Sequence, residues 1–167
     1  MTKLKWMFTV ILRLLALGAT ISAIIIMVTS HDSVEVLNLK FTAKYSNSPT
    51  FKYFVIVEAI ASGYTLIVLF ISPKSVFWRL VVILDIVTTL LLTSGISAAL
   101  AIAQVGKKGN SHAGWLPICD QVPKFCGGVS VSLILGFAAP IVYFMLNLYS
   151  LHAVLNPLFA VKPFMEI

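Results

Sequence analysis

Charge is scarce in this sequence. Asp, Glu, Lys and Arg make up 11% of its 167 residues, whereas soluble domains carry about 25%. With 59% hydrophobic residues and a mean hydropathy of +1.00, the chain has too little polar surface to face water. The class is integral membrane, in one domain. Negative charge is the rarer sign, six acids against twelve bases. The resulting +6 does not mark a nucleic-acid binder, because the bases are scattered at segment ends with no basic helix and no aromatic-interleaved patch. They read as interface anchors.

Other absences narrow the chemistry. There is no glycine-rich phosphate loop, nucleophile elbow or HExxH helix. His31, His112 and His152 fall in different segments, so they make no metal cluster. Cysteine is limited to Cys119 and Cys126. With no second Cys or His pair to complete four ligands, these are either a small-loop disulfide or two separate thiols. No Asn-x-Ser/Thr acceptor occurs, since Asn47 precedes Ser48-Pro49 and Asn110 precedes Ser111-His112. The expectation is no enzyme, no metal and no cofactor.

What is present is four apolar runs of lipid-spanning length. Spans are expected over residues 6–29, 51–71, 78–103 and 129–151, joined by loops at 30–50 and 104–128 and a short connection containing Ser72-Pro73. Asn156-Pro157 is expected to break the fourth span, and Pro140 to kink it. A signal peptide is the rival reading of the first run. That run exceeds signal-peptide length, contains Arg13 and lacks an Ala-x-Ala site. The architecture is all-α, a four-helix transmembrane bundle.

Four spans put both termini on one side. With the termini inside, the inner segments hold Lys3, Lys5, Lys74, Arg79 and Lys162, and the outer loops hold Lys40, Lys44, Lys52, Lys107, Lys108 and Lys124. Counting alone does not decide. Lys3 and Lys5 precede the first span while Asp32 and Glu35 follow it, which favours cytosolic termini. Two cysteines in an extracellular second loop agree.

Three charges, Arg13, Glu58 and Asp85, lie inside the spans away from their ends. A carboxylate at mid-helix costs at least ~2.5 kcal/mol on insertion scales, so Asp85 needs a partner. Arg13 is seven residues past Trp6, and Asp85 is seven past Trp78. If both Trp residues mark one interface, each charge lies ~10 Å deep from the same side, and a two-bond guanidinium–carboxylate pair is feasible. The plainer alternatives are Arg13 snorkelling to headgroups, and Asp85 protonated against Thr88 or Thr89 or in contact with Arg79. Glu58 enters from the opposite face and sits ~10 Å from the plane of Arg13, nearer Thr20 and Thr93. It is expected to keep its proton, bonded to a hydroxyl or facing a subunit interface or water pocket.

Each span carries a small or polar stripe at helical spacing. These are Thr9, Arg13, Ala16, Thr20 and Ala23; Glu58, Ser62 and Thr65, with Ala59 and Gly63 beside them; Asp85, Thr88, Leu92, Gly95 and Ala99; and Ser132, Gly136, Ala139, Tyr143, Asn147 and Ser150. The stripes read as bundle packing, and otherwise as a conduction path using Glu58 for protons or small cations. No inverted repeat and no matching pair of Gly/Pro-interrupted helices supports a transporter.

Three stretches resemble a known family: FTAKYSNSPTFKYFV at 41–55, WRLVVILDIVTTLLLTSGISAALAIAQVGKKGNSHAGWLPICDQVPKFC at 78–126 and LYSLHAVLNPL at 148–158. With an Arg in the first span and an Asp in the third, they are similar to the CASP-like family, relatives of the plant Casparian strip membrane domain proteins. In plan the chain also resembles the four-span MARVEL proteins. The resemblance covers nearly the whole chain. It implies a plant plasma-membrane protein with cytosolic ends, forming homo- and hetero-oligomers with other CASP-like proteins. It also implies a scaffold or diffusion-barrier role beside extracellular cell-wall enzymes. Arg13 and Asp85 match the family's intramembrane pair, and Cys119 and Cys126 match its second-loop cysteines. That loop, presenting Trp115 and Phe125, is the expected outer contact surface. The first loop departs from the strip-forming members: VEVLNLKFTAK is basic and plain where they carry an acidic, aromatic-rich run. This favours a CASP-like protein over a strip-former. Glu58 also departs from the pattern, so no family role carries over to it.

Overall fold

The computed structural model describes residues 3–36, 39–71 and 78–160, with side chains over 6–35, 40–71 and 79–152. Ser72-Pro73, Lys74, Lys162 and the side chains of Lys3, Lys5 and Trp78, all invoked above, lie outside the described residues. The helices are α1 (Lys3–Thr29), α2 (Pro49–Leu69), α3 (Trp78–Lys108) and α4 (Pro123–Ala160). All four are long and apolar enough to cross a membrane. α1 and α3 each pack chiefly against α2 and α4, so α1 and α3 lie on one diagonal of the bundle and α2 and α4 on the other.

Two helices outrun their apolar stretches. α3 continues through Gln104–Lys108, read above as loop, because a polar residue ends an apolar run without ending a helix. The stop comes at Gly109, whose φ is +69° and whose N–H donates to the Val105 carbonyl at 2.7 Å. A side chain there would meet the Trp115 carbonyl at 2.6 Å, so glycine closes this C-terminus. α4 begins at Pro123, a residue suited to the first helical position, and runs through both Pro140 and Asn156-Pro157 to Ala160. Proline removes one backbone bond but keeps helical φ, and the helix continues past the expected break at Asn156-Pro157.

Residues 30–50, read as loop, contain an antiparallel hairpin of β1 (His31–Val36) and β2 (Leu39–Lys44), with His31 opposite Lys44 and Val36 opposite Leu39. Val34 and Ala43 pack on an apolar cluster that includes Met27, Phe51, Phe54 and Phe125. Asp32 Oδ2 accepts the Lys124 backbone N–H at 3.1 Å, one of the orphan donors at the start of α4. The hairpin therefore closes one end of the bundle.

The interior follows the stripes. Buried positions on α1 are Thr9, Arg13, Ala16, Thr20, Ala23 and Met27, and on α3 Val81, Asp85, Thr88, Leu92, Ile96 and Ala99. Both series advance only in steps of four and three, strictly alternating on α1, the spacing of a continuous helix seam. Lipid supplies no hydrophobic drive to join helices, so small residues that allow close approach and polar groups that bond across do the joining.

Candidate functional site: a polar layer at the bundle centre

Arg13 and Asp85 meet across the α1–α3 diagonal. Arg13 Nη2 donates to Asp85 Oδ2 at 2.7 Å and Nη1 to Oδ1 at 3.1 Å. Arg13 is 2% exposed and Asp85 0%, so neither reaches headgroups or water. The plainer partners are engaged elsewhere. Thr88 donates to the Leu84 carbonyl and Thr89 to the Asp85 carbonyl, at 2.8 and 2.7 Å.

The other two helices complete the layer. From α2, Tyr64 Oη lies 2.8 Å from Asp85 Oδ1 and 3.0 Å from the Val81 carbonyl, with its proton available to either. From α4, Asn147 Nδ2 donates to Thr89 Oγ1 at 2.8 Å and approaches the Asp85 carbonyl at 3.4 Å. The Tyr143 hydroxyl of α4 bonds the Thr65 hydroxyl of α2, which itself donates to the Ala61 carbonyl at 2.6 Å. The Tyr64 and Tyr143 rings stack with centroids 6.5 Å apart. Every helix thus sends a polar side chain to one level. The carboxylate, which can accept several bonds, takes a guanidinium fork and a phenol.

Seven residues from Thr65 along α2, or ~10 Å, Glu58 is 1% exposed, and its Oε2 has no hydrogen-bond partner. The expected hydroxyls are not turned to it: Thr20 donates to the Leu17 carbonyl and Thr93 to the Thr89 carbonyl. Across the α2–α4 diagonal stands Gly136, where a Cβ would lie 2.7 Å from the Phe54 ring and 2.9 Å from Glu58 Oε1. Glycine here makes room for Phe54 and Glu58 together.

The loop between α3 and α4 is pinned at both sides. The Ile118 N–H donates to the Gly106 carbonyl at 2.9 Å, and Cys119 is joined to Cys126 by a disulfide. Trp115 is exposed, together with Leu116 and Ile118. Phe125 corrects the expectation of a surface residue. It is 5% exposed and packs edge-to-face on Phe51 at 6.1 Å. The cause is the early start of α4, which places Phe125 in its first turn, facing the core.

The Casparian strip membrane protein domain matches residues 2–142. This chain belongs to that family. The CASP-like family resemblance extends to CASP-like protein 1C3 of Populus trichocarpa, 68% identical over 163 residues, 98% of this chain and 100% of the relative. CASP-like protein 1C2 of Ricinus communis is 68% identical over 161 residues, 96% of this chain and 98% of the relative. CASP-like protein 1C1 of Arabidopsis thaliana is 54% identical over 147 residues, 88% of this chain and 90% of the relative. No solved structure matches. The chain is thus a multi-pass CASP-like membrane protein with a disulfide.

Sequence reasoning missed the contribution of Tyr64 to the layer, and it read Tyr143 and Asn147 as part of a stripe for bundle packing or a conduction path, not as members of a polar layer. A tyrosine in a lipid-length run counts as apolar in any window. The available signal was register: Tyr143 and Asn147 stand four apart on the α4 stripe, and Tyr64 adjoins Thr65 on the α2 stripe.

Proposed function

We propose that this chain is a non-enzymatic scaffold of the plasma membrane. It assembles with itself and with other CASP-like proteins to organise membrane subdomains or a diffusion barrier, beside which extracellular cell-wall enzymes are positioned. The observation that carries the reading is the inward commitment of the polar residues. Arg13, Asp85, Tyr64, Thr65, Tyr143 and Asn147 bond one another or nearby backbone within one bundle. Groups so engaged hold helices in place. The perimeter offers means of assembly: Gly63 has open space at its Cβ position, and Ala59, one turn earlier, is exposed. Two small residues at that spacing admit a second helix closely. Cytosolic termini are supported by Lys3 and Lys5 before α1 against Asp32 and Glu35 after it. An extracellular second loop is supported by its disulfide. In that loop, Trp115 is the proposed outer contact.

The test is lateral mobility. A fluorescently tagged copy at native level in plant cells is expected to recover slowly and incompletely after photobleaching. Complete recovery within seconds removes the scaffold. A second reading, conduction of protons or small cations through Glu58, is favoured by the unpartnered Oε2. It requires flux in liposomes that falls in Glu58→Gln, and flux no greater than in protein-free liposomes ends it.

A further inference from the structure

Two hollows lie between α3 and α4 at the disulfide end of the bundle. One, of about 510 Å³, runs beneath the α3–α4 loop from Trp115 and Leu116 to Phe51. A second, of about 440 Å³, continues from it down to Leu100 and Phe137. They share Ala103, Lys107 and Ser130 as walls and so form one groove. Its lower limits are matched on both helices. Leu100 is seven residues below Lys107 on α3 and Phe137 seven below Ser130 on α4, ~10 Å in each case. That length fits within the ~15 Å of one hydrocarbon leaflet. Leu100 is 45% exposed and Phe137 50%, so the groove opens sideways, where lipid chains lie.

Its two ends differ in chemistry. The body is apolar apart from Gln104, which lines the second hollow and is exposed, and the one hydroxyl shared by both hollows, Ser130 Oγ, already donates to the Cys126 carbonyl at 2.8 Å. The upper end carries Lys107, with Lys108 beside it, both exposed. Among the described residues neither is in an ion pair. Asp120, the acid of the loop, lines neither hollow. A cation at the mouth of an apolar trough of leaflet length matches an amphiphile with an anionic head. Trp115 and Leu116, exposed at the rim, are what an interface between headgroups and chains would cover.

We infer that this groove is a binding site for an anionic phospholipid of the surrounding leaflet, its phosphate at Lys107 and one acyl chain along the wall formed by Ala103, Leu100 and Phe137. The disulfide roofs the site, since Cys119 and Cys126 both line it. The lipid would then travel with the protein as part of its surface.

The test uses the full chain in phosphatidylcholine vesicles containing phosphatidylglycerol with a diazirine on one acyl chain. After illumination, labelled residues are mapped by mass spectrometry. Enrichment is expected on the groove residues over Ile21, Ile25 and Val28, which are exposed towards the same end of α1. Lys107→Gln, at an exposed helix end, is expected to reduce groove labelling about fivefold, with Ile25 unchanged. Ala103→Phe, which fills the trough, is expected to abolish it. Lys107→Gln keeps the test decisive if Ala103→Phe fails to fold. Uniform labelling of all lipid-facing surfaces overturns the inference. So does equal groove labelling by the same chain on phosphatidylcholine, which would be bulk lipid only. Enrichment of a diazirine fatty acid but not of the phospholipid overturns it as well, as do cross-links joining the grooves of two copies.

Discussion

At the scale of single residues, the contrast is between two buried acids. Asp85 receives two guanidinium bonds and a phenol within reach, while Glu58 Oε2 receives nothing. The physics of the two differs accordingly. Removing one partner of a buried pair strands the other charge, at about 3–5 kcal/mol, while replacing both by apolar residues is often near neutral. Arg13→Leu is therefore expected to lose roughly that amount in unfolding titrations in detergent micelles, and to misfold or mislocalise in cells. Arg13→Leu with Asp85→Leu should recover most of the loss. Normal stability, traffic and assembly of Arg13→Leu alone would show that the pair does not hold the bundle. Glu58 predicts the opposite sign. An apolar side chain of similar length removes an unsatisfied polar atom, so Glu58→Met should be neutral or stabilising by about 1 kcal/mol in the same titration. A clear loss would mean that Glu58 bonds something in the membrane-embedded protein.

At the scale of elements, the ends of the helices decide the shape of the outer rim. α3 stops where Gly109 turns left-handed, and α4 starts at Pro123, which has no N–H, with its first N–H, that of Lys124, taken by Asp32 of the hairpin. Replacing a capping acid by Ala typically costs about 0.5–2 kcal/mol. Asp32→Ala should accordingly raise amide hydrogen exchange at Lys124 and in the hairpin, and leave the centre of α4 protected. Exchange unchanged at Lys124 would show that the bond does not hold the hairpin down. The hairpin was not legible beforehand because, among the described side chains, its inward residues are few: Val34 and Ala43 touch the core while Ser33, Glu35 and Lys40 face outward. Alternation over so short a stretch is weak, and an apolar-run reading sees only a break between spans. The helix ends were misjudged for a related reason, since hydropathy marks where lipid begins and backbone bonding marks where the helix ends.

At the scale of the whole molecule, the bundle has an inside that is polar in one layer and an outside that is apolar almost throughout. The assembly proposed above must then use shape. Gly63→Leu places a large side chain where nothing in the monomer lies within 4 Å. It should leave the fold intact and reduce self-association, read as a loss of cross-linked dimers and higher species at fixed protein-to-lipid ratio. Unchanged cross-linking would move the subunit contact away from the Ala59–Gly63 face.

Composition and run length by themselves determined the membrane class and the four helices, because an apolar stretch of lipid length has few other stable states, while the family resemblance rested on the particular stretches at 41–55, 78–126 and 148–158. The equal spacing of Arg13 and Asp85 from Trp6 and Trp78 was enough to put the two charges at one depth. Rotation about each helix axis was not readable at the same precision. It decides that Tyr64, Thr65, Tyr143 and Asn147 join the layer, that Glu58 faces Gly136 without a partner, and that Phe125 turns into the core. Those choices depend on how four helices pack around one another, and only the tertiary structure sets that packing.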